Sequence, residues 1–416
     1  AVKDVRMALD LMLSQDGAVF ASGLYSFTAT HWRHTSSDPS DQKTGRFMAR
    51  ILASRSESNG PEHERSADDA TSTNVVDVLR QLLDQPDDLY RLTVPLLDDS
   101  EMGPSPSADG DGLIERLTQP ERPLQSIQDA AGRLARHVTD TREKTTALQR
   151  LVTLGSFGIF LHLVNATDEA LAAKDVSDRR RVPLLLCKNP PRASMREASR
   201  RAFTHARQRL TFAFEEELAA EFERRGDENE DRVFYENQMR NWLIQAGQSN
   251  KDRAQAEEHL EQFKQTFEAE RKGTDDLFHA FVRAATPTFL TVMGSHRPAA
   301  CAIRLSTHGG LLGPFRGPGE KYYRPAPQFL DMLTAALLEP GEEIPAAQFW
   351  EKAWDEFGIL CGARSRHDAE QLRAWGIRQV SIDHLTENAN ALAEQLTRLG
   401  HARTYADGIT LIRVDQ

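Results

Sequence analysis

Cysteine is scarce: Cys187, Cys301 and Cys361 are the three in 416 residues, odd in number and widely separated. That excludes a disulfide framework and favours reduced thiols in a cytoplasmic setting, where a small buried hydrophobe is the ordinary role. Long apolar runs are missing too. The most apolar stretch, Leu151 to Ala166, carries His162 and Asn165 and falls short of the roughly twenty residues that a bilayer requires. It predicts a buried helix and no membrane partner.

Catalytic signatures are also wanting. His308, Gly309 and Gly310 have the look of an oxyanion turn, but no Gly-x-Ser-x-Gly elbow accompanies them. A turn joining two strands, Ala300 to Ser306 and Leu311 to Phe315, is the expectation there. The run Gly313 to Lys321 lacks the Gly-Lys-Ser/Thr ending of a phosphate-binding loop. His63-Glu64 is followed by Ala67 where a zinc protease needs its second histidine, and His31 and His34 have no identifiable co-ligands. No cofactor and no metal are therefore expected. A metal-dependent nuclease or other hydrolase built on scattered carboxylates stays open as the alternative, because such groups converge only in space.

What is present is a mainly α chain of a size that calls for several folding units. The net charge of −11 argues against a protein that coats nucleic acid all over, yet leaves room for one basic surface. Residues 1–123 read as an N-terminal helix and strand region, with Val2 to Leu13 and Val75 to Leu83 helical and Val19 to Thr30 extended. The Ser-, Asp-, Gly- and Pro-rich stretches 56–73 and 98–112 are expected to be mobile loops. Residues 124–298 form a helical body, broken by a strand at Val182 to Cys187. Within it Ala254 to Lys272 keeps Leu260, Phe263 and Phe267 as an apolar seam. Residues 299–344 supply a hairpin, a Gly/Pro loop and a connecting helix, Pro327 to Leu338, with Phe329, Leu333 and Leu337 facing the core.

Residues 345–416 predict a winged-helix-like domain. Pro345 opens a helix with Phe349, Ala353 and Phe357 at helical spacing up to Gly358. Ser365 and Asp368 form a capping box for a second helix that stops at Gly376. Asp383 caps a third, with Leu385, Ala389, Leu392, Leu396 and Leu399 in one stripe before Gly400. His401 to Tyr405 and Ile409 to Val414 then pair around Asp407-Gly408, the signature of a two-residue hairpin. The face of the third helix opposite its leucines carries Glu387, Asn390, Ala391, Glu394 and Arg398, and this domain has eight Lys and Arg against ten Asp and Glu. Carboxylates aimed at phosphates are unfavourable, so protein docking is favoured over base reading. Arg403 and Arg413 on the wing keep DNA contact in play.

Basic residues concentrate instead between Asp178 and Arg209, with ten Lys and Arg against two acids. The strand there leads through Lys188 to Ser194, which with Glu197 predicts a capping box opening a long helix. Lys188, Arg192 and Arg196 flank that helix start as a candidate anion site. Arg192, Arg196, Arg200 and Arg207 project within about 40 degrees of one direction, continuing the stripe of Phe203, Leu210 and Phe214. A structural ion-pair network, phosphate contact and an acidic protein partner are the three readings, and exposure of the stripe separates them. Lys321, Tyr322, Tyr323 and Arg324 interleave aromatics with cations in a way suited to stacking on bases, although docking of the tyrosines into the core is the commoner outcome.

Taken together, the segment LGSFGIFLHLVN (Leu154 to Asn165), the arginine-rich REASRRAFTHARQRL (Arg196 to Leu210) and the winged-helix-like ending make the chain resemble DptG-type accessory subunits of DNA phosphorothioation-dependent restriction, a prokaryotic anti-phage defence system. The likeness is one of order and size, and it transfers no functional residues. It implies partnership with a separate ATPase or nuclease, with this chain as a non-catalytic adaptor, while the basic helix and the wing arginines are the residues that point to DNA.

Overall fold

A computed structural model describes residues 122–138, 144–165, 181–225, 232–246, 250–274, 276–293, 298–314 and 320–414. The expected elements of the first 121 residues, both expected loops and the histidines at positions 31, 34 and 63 lie outside that set. The described residues are mostly helical, with eleven helices and a few short strands. They fall into two units.

The first unit contains α1 (Arg122–Arg136), most of α2 (Lys144–Asn165), β1 (Leu184–Leu185) and the start of α3 (Ala193–Arg225). It continues from the end of α7 (Pro298–His308) through β2 (Leu312–Gly313), β3 (Tyr322–Tyr323), α8 (Pro327–Leu337), β4 (Glu343–Pro345), α9 (Ala346–Phe357) and β5 (Ile359–Leu360). It closes with α10 (Ser365–Ala374), α11 (Ile382–Arg398), β6 (Ala402–Thr404) and β7 (Thr410–Arg413).

Helix α8 is the centre of this unit. Its sequence is apolar on nearly every side, so burial on one face is not enough, and Phe329, Leu330 and Met332 through Leu337 are all buried. Phe157 of α2 meets both Phe329 and Phe357 edge-on, with ring centroids 5.3 and 5.4 Å apart. Helix α2 can come that close to α1 because residue 158 is glycine: a Cβ there would stand 3.0 Å from Ile127. The C-terminal carbonyls of α8 are taken up by α1, with Arg133 donating to Ala336 and His137 bonded to Leu338 at 2.8 Å. The Arg133 guanidinium satisfies an orphan carbonyl and the negative end of the dipole together, while burial lowers the His137 pKa and leaves that ring a neutral hydrogen-bond partner.

Of the strand expected at Val182 to Cys187 only Leu184–Leu185 are paired as β1, whose partner is β5, in a buried parallel pair. The C-terminal segment differs from expectation in informative ways. Glu343–Pro345 form a strand ahead of α9, so the hairpin belongs to a three-stranded antiparallel sheet of order β4-β7-β6. Pro345 is both the last strand residue and the N-cap of α9. Helix α11 is capped by Ser381, whose hydroxyl accepts from the His384 N–H at 3.2 Å, and not by Asp383. In α10 the box is altered: Asp368 turns back to accept from the Gly362 N–H at 2.8 Å. Gly362 itself has φ +96°, and a Cβ would lie 2.1 Å from the Leu385 carbonyl, so only glycine fits this approach. The wing closes through Tyr405 N–H to Ile409 C=O at 2.9 Å, a three-residue loop with Gly408 left-handed, rather than a two-residue turn.

Residues Pro298–His308 are helical, which corrects the strand expected at Ala300 to Ser306. The alternation there was too short to separate strand from buried helix, and Pro298 is well placed to start the latter. The turn at Gly309 and Gly310 is present, and β2 pairs with β3 across the Gly/Pro segment.

The second unit holds the remainder of α3, then α4 (Arg232–Ala246), α5 (Asn250–Arg271), α6 (Leu277–Met293) and the start of α7. Its core is aromatic: Phe281 of α6 stacks on Tyr235 with centroids 4.5 Å apart and also touches Phe222 and Phe263. The seam of Leu260, Phe263 and Phe267 on α5 is buried as expected.

Candidate functional site

The residues singled out by charge meet at the start of α3, where the chain leaves the parallel pair. Ser199 fastens this corner from within, donating to the Leu185 carbonyl at 2.7 Å and accepting from the Tyr323 N–H at 2.9 Å. Cys187 N–H donates to the Tyr323 carbonyl at 2.9 Å. The helix begins at Ala193 with Arg192 as its cap residue, because the Arg192 carbonyl accepts from Arg196 N–H. Ser194 is thus inside the first turn, and the expected capping box does not form. Its hydroxyl is 2.9 Å from His384 Nδ1, while Glu197 takes hydrogen bonds from Arg200 and Arg201, each at 2.8 Å. Two guanidinium groups outcompete one backbone N–H for a carboxylate. Those hydrogen bonds hold the Glu197 carboxyl down at about 2.

Opposite this corner stands α11. Asn388 is buried within its apolar stripe and makes three hydrogen bonds of 2.8 Å, accepting from Lys188 N–H and donating to the Leu186 and Cys361 carbonyls. One amide therefore ties together the ends of β1 and β5 and the third helix of the C-terminal segment. Beside it Glu387 pairs with Lys188 at 2.5 Å and with Arg192, and the Lys188 hydrogen bond lowers its pKa, with Arg192 adding to the effect. Sequence reasoning placed Glu387 on an outward acidic face. In the fold it is the carboxylate that answers the basic corner.

The arginine stripe thus divides. Arg192, Arg200 and Arg201 are engaged by Glu387, Glu197 and Glu320, whereas Arg196 and Arg207 are exposed with no ion pair among the described residues. Lys321 donates to the Pro314 carbonyl, and Arg324 is half-buried. Tyr322 and Tyr323 are both buried, Tyr323 completely, with its ring edge-on to Phe160 and Phe203. Their rings serve the core and cannot stack on a base. On the wing and on α11, Asn390, Arg398, Arg403 and Arg413 are exposed. Arg403 lies 5.2 Å from the Tyr405 ring centroid, and Arg398 makes only a loose exposed pair with Glu394 at 3.6 Å.

Two clusters escaped the sequence reading. Asp331 of α8 receives a two-pronged contact from Arg150, at 2.9 and 2.7 Å, and lies 2.9 Å from His401 Nε2. Burial pushes the Asp331 carboxyl up, but the hydrogen bonds from Arg150 and His401 prevail and leave it at about 2. These three residues are far apart in sequence and no local pattern links them. Asn388 did leave a signal, as a polar residue inside the stripe Leu385, Ala389, Leu392.

Cys187 and Cys361 are buried free thiols, with Cys187 pushed up to about 12 by burial, which removes them as nucleophiles. Among the described residues, no three His, Cys, Asp or Glu side chains are gathered so as to hold a metal ion. No described helix is long and apolar enough to cross a membrane. Compared with known proteins, the chain matches no family model, no curated protein and no solved structure.

Proposed function

We propose that the chain is a non-catalytic adaptor or scaffold subunit of a bacterial DNA-processing or anti-phage defence complex, acting in the cytoplasm beside a separate ATPase or nuclease. Its C-terminal segment serves as a winged-helix-like docking module. The order helix, strand, helices, hairpin and the sheet order β4-β7-β6 support the winged-helix reading. The buried thiols fit a reducing compartment.

The observation that carries the docking role is the closure of α11. A helix that reads bases lies in the major groove and presents several side chains to base edges. Here the leucine face is in the core, and the face bearing His384, Glu387 and Asn388 is fastened to the start of α3. Asp383, Thr386, Asn390, Glu394 and Thr397 are left exposed, with carboxylates that repel phosphate. A protein partner is the better match for such a surface. Arg196 and Arg207 of α3 remain available to nucleic acid or to an acidic partner.

Anisotropy titrations of the whole chain against several unrelated duplexes test this reading. Equal affinities, unchanged by Asn390→Ala, are expected. A marked preference for one sequence that disappears in Asn390→Ala would show that α11 reads bases and would overturn the docking role.

A further inference from the structure

Most arginines of the first unit have a partner. Arg133, Arg136, Arg150, Arg192, Arg200 and Arg201 all meet carboxylates, and Arg181 donates to the Trp354 and Asp355 carbonyls. Arg196 and Arg413 are exposed and make no ion pair among the described residues, and helix α10 with the turn after it carries three more such arginines. Arg366, Arg373 and Arg378 are exposed, and none makes an ion pair or a side-chain hydrogen bond among the described residues. Arg366 and Arg373 are seven residues apart, which places them on one face about 10 Å from each other.

The carboxylates near them are accounted for in a way that leaves this face positive. Asp368 is turned inward at 2 % exposure and held by the Gly362 N–H. Glu351 answers Arg364 at 3.2 Å. Glu370 is the one exposed carboxylate on the helix itself. The next helix, α11, shows the opposite sign through Asp383 and Glu394.

We propose that the exposed face of α10 with its C-terminal turn, carrying Arg366, Arg373 and Arg378, binds the sugar–phosphate backbone of duplex DNA without reading its sequence. Free guanidinium forks are the groups that recognise phosphate, and they act here without losing an internal partner. The proposal goes beyond the docking role of α11 and is carried by a different set of side chains.

The test is salt-dependent binding of the full chain to a fluorescent duplex of random sequence. For R366E/R373E/R378E, affinity is expected to fall by about tenfold or more at low salt, and the slope of log K against log salt by about three. The lysine version, R366K/R373K/R378K, is expected to retain binding, which separates charge from misfolding. R196E/R207E, measured alongside, reports separately on the α3 contact of the adaptor reading. Unchanged affinity and slope in the α10 triple reversal, or no duplex binding by the parent chain at low salt, would overturn the proposal. So would tighter binding to polyglutamate than to the duplex at equal charge, which would assign the face to an acidic protein.

Discussion

Two helices of this chain carry conspicuous arginines, and they use them differently. At the start of α3, Arg192, Arg200 and Arg201 are bound to Glu387, Glu197 and Glu320, and Lys188 joins Arg192 on Glu387. On α10 and the turn after it, Arg366, Arg373 and Arg378 are exposed and make no ion pair among the described residues, with Glu370 the one exposed carboxylate on the helix. Sequence density of basic residues pointed to α3, with ten Lys and Arg in the segment Asp178 to Arg209. The fold answers much of that charge from within and leaves the sparser helix open. Charge along the chain therefore ranks candidate surfaces poorly unless the opposing carboxylates are placed too.

The largest effect should follow from cutting the tie that brings α11 to the basic corner. Asn388→Ala strands Lys188 N–H and the Leu186 and Cys361 carbonyls in a buried site. A loss of about 3 kcal/mol is expected in urea unfolding, from the cost of unpaired buried polar groups. A loss below about 0.5 kcal/mol would mean that α11 is not fastened there.

Next comes acid sensitivity. The folded Asp331 carboxyl sits at about 2, below its ordinary 3.8. Its contribution is therefore complete above about pH 4 and fades as pH falls toward about 2, amounting to about 2 kcal/mol. Asp331→Asn should lower stability at neutral pH and flatten the decline between pH 4 and pH 2. An unchanged pH profile in that variant would place the acid-sensitive group elsewhere.

Smaller effects mark the exposed end of the comparison. Arg398→Ala removes a loose pair between two largely exposed side chains and should change stability by about 0.5 kcal/mol or less. Arg366→Ala and Arg373→Ala remove exposed side chains with no ion pair or side-chain hydrogen bond among the described residues and should be neutral within about 0.5 kcal/mol. A clear destabilisation by either would reveal an internal partner and remove it from the proposed phosphate surface.

How much was legible in the sequence depended on the range of the interaction. Helices with their own periodicity were readable: the buried α2, the seam of α5, α9 ending at left-handed Gly358, and α10 stopping at Gly376. Local caps were less so, because the side chains found stronger partners. Glu197 preferred two arginines to a backbone N–H, and Asp368 reached Gly362 instead of its own helix start. Strand β4 is short and half-exposed, and only its pairing with β7 defines it. The core role of Tyr322 and Tyr323 and the clustering of Arg150, Asp331 and His401 are tertiary facts with no local trace.

The contrast between engaged and free arginines is tested most directly by two matched neutralisations, R192Q/R200Q/R201Q and R366Q/R373Q/R378Q, compared in salt titrations of duplex binding. The α3 set is expected to leave the slope of log K against log salt unchanged, and the α10 set to lower it by about three. A slope lowered by the α3 set and untouched by the α10 set would contradict that contrast.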